Sequence, residues 1–145
     1  MAQKQSTGLC NYVLATGSLK GAYSAMRIRV YSGTVPVSAD AAIGSAVLLN
    51  EVKSAGGNLN FDTAAAAGVL LKAPGETWVG TNTVGGTASF YRVVNSADDG
   101  TLSTVFIRLQ GTIGVGGADM NVGATALTSG STFTLNYFSQ SMIPS

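Results

Sequence analysis

Met26-Arg-Ile-Arg-Val-Tyr31 alternates without a break. In an extended chain Met26, Ile28 and Val30 fall on one side and Arg27, Arg29 and Tyr31 on the other. Two later stretches repeat the pattern, Phe90-Tyr-Arg-Val-Val94 and Thr104-Val-Phe-Ile-Arg-Leu-Gln110. Phe90 and Arg92 share a face, as do Phe106 and Arg108. The opposite faces carry Tyr91 and Val93 in one stretch, and Val105, Ile107 and Leu109 in the other. A period of two with one apolar face is the mark of a half-buried β-strand.

If 88–94 and 104–110 form a hairpin that pairs Val94 with Thr104, Arg92 lies opposite Phe106 and Phe90 opposite Arg108. Cross-strand cation–π contacts then follow, each worth about 0.5–1 kcal/mol if exposed. Arg27, Arg29, Tyr31, Phe90, Arg92, Phe106 and Arg108 thus form one aromatic–arginine constellation with two readings. One is a solvated sheet face on which arginine stems cover the rings. The other is a partner surface, because arginine and aromatic residues are enriched among interface anchors.

Outward from these strands the chain continues in the same style. Residues 46–52, 58–62, 69–73, 76–80, 119–122 and 132–138 read as further strands. Residues 32–40, the Asp99-Gly100 segment within 95–103, and the glycines at 111, 114, 116 and 117 read as turns and loops. Residues 6–19 form the one predicted helix, with Ser6 or Thr7 as cap and Gly17 and Gly21 as breakers. Strands recurring every 8–15 residues or so predict an all-β, antiparallel sandwich of jelly-roll type with one short N-terminal helix. The absence of crossover helices excludes a parallel α/β fold. The 145 residues make a single domain, with residues 1–8 and 138–145 as flexible arms.

Composition narrows the chemistry. Charged residues are only 10% of the chain, against a usual ~25%. Histidine is absent, which excludes Ser-His-Asp and Cys-His nucleophile systems and histidine metal sites. A net charge of +1 argues against binding nucleic acid through phosphate neutralisation. Cys10 is the single cysteine, so neither an intrachain disulfide nor a cysteine zinc site can form, and it reads as a small buried residue. Residues 1–8 contain no apolar signal region, and residues 120–145, although uncharged, are too polar to span a membrane.

The remaining motifs favour plain readings. Gly111-Thr-Ile-Gly-Val-Gly-Gly117 lacks the lysine and following helix of a phosphate loop. Asp98-Asp99 reads as a hydrophilic turn. Asp62 and Asp119 are the pair that paired-carboxylate chemistry would require across a cleft. Trp78 reads as core, or else as a sugar platform together with Tyr91 and Tyr137. These features predict no enzyme, no cofactor and no metal.

Ser6-Thr-Gly-Leu-Cys-Asn-Tyr-Val-Leu-Ala-Thr-Gly-Ser-Leu-Lys20 resembles small virion proteins of tailed bacteriophages. So do Arg27-Ile-Arg-Val-Tyr-Ser-Gly-Thr-Val-Pro36, Ser38-Ala-Asp-Ala-Ala-Ile-Gly44, the stretch from Phe61 to Ala73, Trp78-x-Gly80-Thr-Asn, and Gln110 to Asp119. The resemblance implies a capsid cement, or decoration, protein with a jelly-roll-like fold. It would sit on the outer surface of the virion capsid after synthesis in the host cytoplasm, bind the major capsid protein, and associate with copies of itself. The resemblance supplies no catalytic residues. A phage tail or host-attachment protein with a carbohydrate-binding β-sandwich is the competing reading.

Overall fold

The computed structural model describes residues 3–141. In chain order the elements are β1 (Lys4–Gln5), α1 (Thr7–Ala15), α2 (Leu19–Ala22), β2 (Met26–Ser32), β3 (Val47–Val52), β4 (Val69–Leu71), β5 (Trp78–Thr81), β6 (Gly86–Thr87), β7 (Phe90–Asn95), β8 (Arg108–Gly114), β9 (Met120–Asn121), β10 (Ala126–Leu127), β11 (Thr132–Leu135) and β12 (Ser139–Ser141). The fold is all-β apart from the two short helices. The main sheet runs β1-β8-β7-β2-β3, with β9 alongside β8, and the ribbons β6–β10, β5–β11 and β4–β12 complete it. Every pairing is antiparallel except β8–β9.

The alternation of β2 sets the layers. Ile28 pairs with Val52 on one side and Val93 on the other, and Val93 pairs with Leu109. This aliphatic row crosses four strands and is buried. The ribbons cover it with aromatic rings. Trp78 is fully buried, 5.3 Å from the Phe61 ring and 5.8 Å from Phe138, and Phe138 reaches Tyr91 at 6.4 Å. Such pairs add about 0.5–1.5 kcal/mol each beyond the area they bury. Trp78 is therefore core, and it carries no sugar platform.

The predicted single helix is two. Ser6 caps α1, its Oγ accepting from Leu9 N at 3.1 Å, and the helix stops just before Gly17. Ser18 caps α2 in the same way, through Gly21 N at 3.0 Å. Ser6 also holds the helix to the sheet: its Oγ accepts from Arg108 N and donates to Phe106 O, both at 2.8 Å. Cys10, expected buried, is half-exposed on α1.

The predicted hairpin register is corrected. Val94 pairs with Arg108, Arg92 with Gln110 and Phe90 with Thr112. The second strand begins at Arg108 because residues 103–107 are held out of it. Ser103 Oγ accepts from both Val105 N and Phe106 N at 3.1 Å, and Ser6 takes up the main chain of 106 and 108. The strand then runs through Gly111 and Gly114, where the sequence predicts a loop. Gly111 suits that place because a Cβ there would stand 2.7 Å from the Tyr91 ring opposite it.

The described parts of the two predicted arms are paired. Lys4 and Gln5 face Gln110 and Leu109, and Ser139–Ser141 pair with β4. Residues 1–2 and 142–145 lie outside the described residues.

Candidate functional site

The second face of the main sheet gathers the predicted constellation. Arg27, Arg29 and Tyr31 on β2, Phe90 and Arg92 on β7, and Arg108 at the start of β8 all lie on it, opposite the aliphatic row. The register moves four residues from the expected one, an even number, so Arg108 keeps the predicted face. Glu51 and Gln110 join the group; neither was among the predicted residues.

What the sequence reading missed is a cover. Residues 33–46 and 96–107 lie over this face and are joined to each other by Ser103 N to Asp40 O at 2.9 Å and Ile43 N to Gly100 O at 3.0 Å. Much of the aromatic–arginine face is therefore an interior layer, while Arg27, Arg29 and Phe106 remain partly exposed. Arg92, Arg108, Tyr31 and Phe90 are all buried.

Each arginine is held by its own partners. Arg108 meets Asp98 in a two-pronged pair, Nε to Oδ2 at 2.5 Å and Nη2 to Oδ1 at 2.7 Å, with both side chains almost wholly out of water. Its remaining donors reach Ala39 O, Asp40 O and Thr101 O. Arg27 and Arg29 share Glu51, at 2.7 and 2.8 Å, and Arg29 also donates to Ser96 O and Asp98 O. Arg92 has no carboxylate. Its Nε donates to Gln110 Oε1 at 2.9 Å, and its Nη2 to Ala41 O at 2.7 Å and Ser38 O at 3.3 Å. Its Nη1 is buried without a partner. Gln110 Nε2 in turn donates to Pro36 O at 2.8 Å. The guanidinium groups thus bind the loops through main-chain carbonyls, with a planar fork of donors that reaches several acceptors at once.

The electrostatics follow. Burial, then the charge of Arg108, push the Arg92 guanidinium down to about 10. Burial alone would raise the Glu51 carboxyl, but hydrogen bonds from Arg29 and Arg27 outweigh it and hold the group below its ordinary value.

Aromatic partners also differ from the expected ones. Tyr31 stacks on Phe90, its direct cross-strand neighbour, with centroids 4.9 Å apart. The Arg108 guanidinium lies 5.3 Å from the centroid of Phe106, two residues back along its own chain, so this cation–π contact does not cross strands. Phe106 itself is half-buried.

Of the predicted acidic turn, Asp99 is exposed and accepts from Thr101 N and Oγ1, whereas Asp98 turns inward to Arg108. Asp119 is tied to Thr112 through N and Oγ1, and Asp62 follows the Phe61–Lys72 bridge. Of Trp78, Tyr91 and Tyr137, only Tyr137 is exposed, so the three assemble no platform.

The outward side of the cover has a different character. Val37 is 85% exposed, Leu102 74% and Val105 82%. Leu14, on the helix packed beside 105–107, is also exposed. Comparison with protein-family models, with curated proteins and with solved structures finds no match to this chain.

Proposed function

We propose that this chain is a capsid cement protein of a tailed bacteriophage, which binds the outer face of the shell and ties neighbouring coat subunits together. The observation that carries the reading is the pair of loops over the arginine layer. They are anchored from beneath by guanidinium groups and present Val37, Leu102 and Val105 to solvent. Exposed apolar side chains on firmly held loops suit a contact that buries them against a partner. The resemblance of residues 6–20, 27–36, 38–44 and 110–119 to small phage virion proteins supports the same reading.

The partner surface proposed from sequence thereby moves outward, from the arginines to the loops they hold. Many weak copies on one lattice gain by avidity, and binding to the assembled state alone stabilises that state by mass action. The test is co-sedimentation of the purified protein with shells assembled from the major capsid protein of the same phage. Saturable occupancy supports the reading, and none at micromolar protein contradicts it.

A further inference from the structure

β10 and β11 are consecutive strands joined by a tight turn, Ser131 N to Thr128 O at 3.1 Å, yet they do not pair with each other. β10 pairs with β6, and β11 pairs with β5. The hairpin is splayed, and Asn82 is wedged at its apex. Asn82 N donates to Ser131 O at 2.9 Å, Gly130 N donates to Asn82 O at 2.8 Å, and Asn82 Nδ2 donates to Thr128 O at 3.1 Å. Asn50 fixes the wedge through Nδ2 to Asn82 Oδ1 at 2.6 Å. Between the arms lies a half-open groove of about 680 Å³, which both strands line.

The groove has the properties of a missing strand. In an antiparallel pair only every second residue turns its N–H and C=O toward the partner. Two of the four β11 residues therefore direct both groups away from β5. Among the described residues, 132–137 make no main-chain hydrogen bond outside the β5 pairing. β11 is short, but it carries no lysine, no proline and no bulge to blunt that edge. The groove lining includes the buried Phe133, Leu135 and Met120, and its one charged residue is Asp119, already engaged by Thr112.

We propose that this groove receives an extended, uncharged segment of a partner protein as an added strand between β10 and β11. Unpaired N–H and C=O groups at strand spacing match an extended main chain. The near-neutral lining selects a segment without charges, and its apolar residues select apolar side chains at alternate positions. Because a strand walls each side, the occupant must be free along both edges. That excludes β11 of a second copy, whose other edge is taken by its own β5. The inference stands independently of the cement reading.

The test uses the full chain, alone and with a flexible Gly/Ser linker and Thr-Val-Thr-Val-Thr-Val added after residue 145. A short linker gives millimolar effective concentration. The expected result is exchange slowed at least tenfold at two alternating amides within 132–135, and none of it with a control extension carrying proline at every second position. Unchanged exchange, or equal protection by the proline control, overturns the proposal. So does protection by added maltohexaose when the strand gives none, since the groove would then be a sugar site. Shell binding is scored separately by co-sedimentation, so a failed cement reading leaves this result legible.

Discussion

Arg29 and Arg92 stand directly opposite one another across β2 and β7, two cations in one cross-strand pair. Like charges so placed are unfavourable. The sheet relieves them by parting the side chains: Arg29 goes to Glu51 and the carbonyls of 96 and 98, Arg92 to Gln110 and the carbonyls of 38 and 41. The repulsion is converted into two anchors, one for each covering loop.

The arginines should therefore differ sharply in what their loss costs. Arg108→Met strands the Asp98 carboxylate in the interior, and breaking a buried pair in this way costs about 3–5 kcal/mol. Arg92→Met removes a buried cation that has no carboxylate and one unpaired nitrogen, at the expense of its hydrogen bonds to Gln110 and two carbonyls. It should cost no more than about 1–2 kcal/mol. Urea unfolding of the two variants checks the order, and equal losses would mean that Asp98 is not the partner that matters.

Gly80→Ala should be among the most damaging small changes. A Cβ there would run into Asn50 Oδ1 and the main chain of Glu51, where β5 lies against β3, and neither can retreat. Overpacking of this kind costs about 1–3 kcal/mol. Gly116→Ala, whose Cβ meets nothing, is the control and should melt like the parent.

Stability should be nearly level between about pH 5.5 and 8.5, because the chain has no histidine. Below that window Glu51 matters. Its folded value lies below the unfolded one, so its contribution is present above the ordinary carboxylate range and is lost as pH falls through the folded value. Above the window Tyr23, Tyr31 and Tyr91, all raised chiefly by burial, stabilise the fold below their ordinary value near 10, and that contribution declines as pH rises beyond it. Arg92, lowered, works in the opposite sense but is a single group against three. Melting temperatures should agree at pH 6 and 8 and drop by pH 11.5. A shift of more than about 5 °C between pH 6 and 8 would contradict this account.

Attachment to shells should survive high salt. The largest exposed side chains of the cover, Val37, Leu102 and Val105, are apolar, and Arg92 and Arg108 are engaged inside. At about 1 M sodium chloride the Debye length is near 3 Å, enough to weaken exposed charge contacts but not apolar ones. Shells sedimented at low and high salt should carry similar amounts of the protein, and near-complete release would return the contact to charge.

How far the sequence was legible can be traced through β7 and β8. The strict alternation of 26–31 and 90–94 placed both strands and both faces correctly, because period two admits only one partition. The partner strand was set four residues early, since Ser6 and Ser103, distant in sequence, hold 103–107 out of the ladder. The even slip kept Arg108 on the right side. Gln110 was within reach, as the next member of the series Phe106, Arg108. Burial of the face was not legible, because it depends on two glycine- and serine-bearing loops whose packing is written in main-chain carbonyls, which every residue has. Asp98 was hidden for the same reason: its role comes from a turn that Asp99 alone would justify.

The most direct measurement is shell occupancy of the Leu102→Ser/Val105→Ser double variant, taken together with its melt. Both side chains are largely exposed, so folding stability should stay within about 0.5 kcal/mol of the parent. Occupancy on shells assembled from the major capsid protein of the same phage should fall more than tenfold. A variant that melts like the parent and still saturates the shells would contradict the claim that the arginine-held loops carry the partner surface.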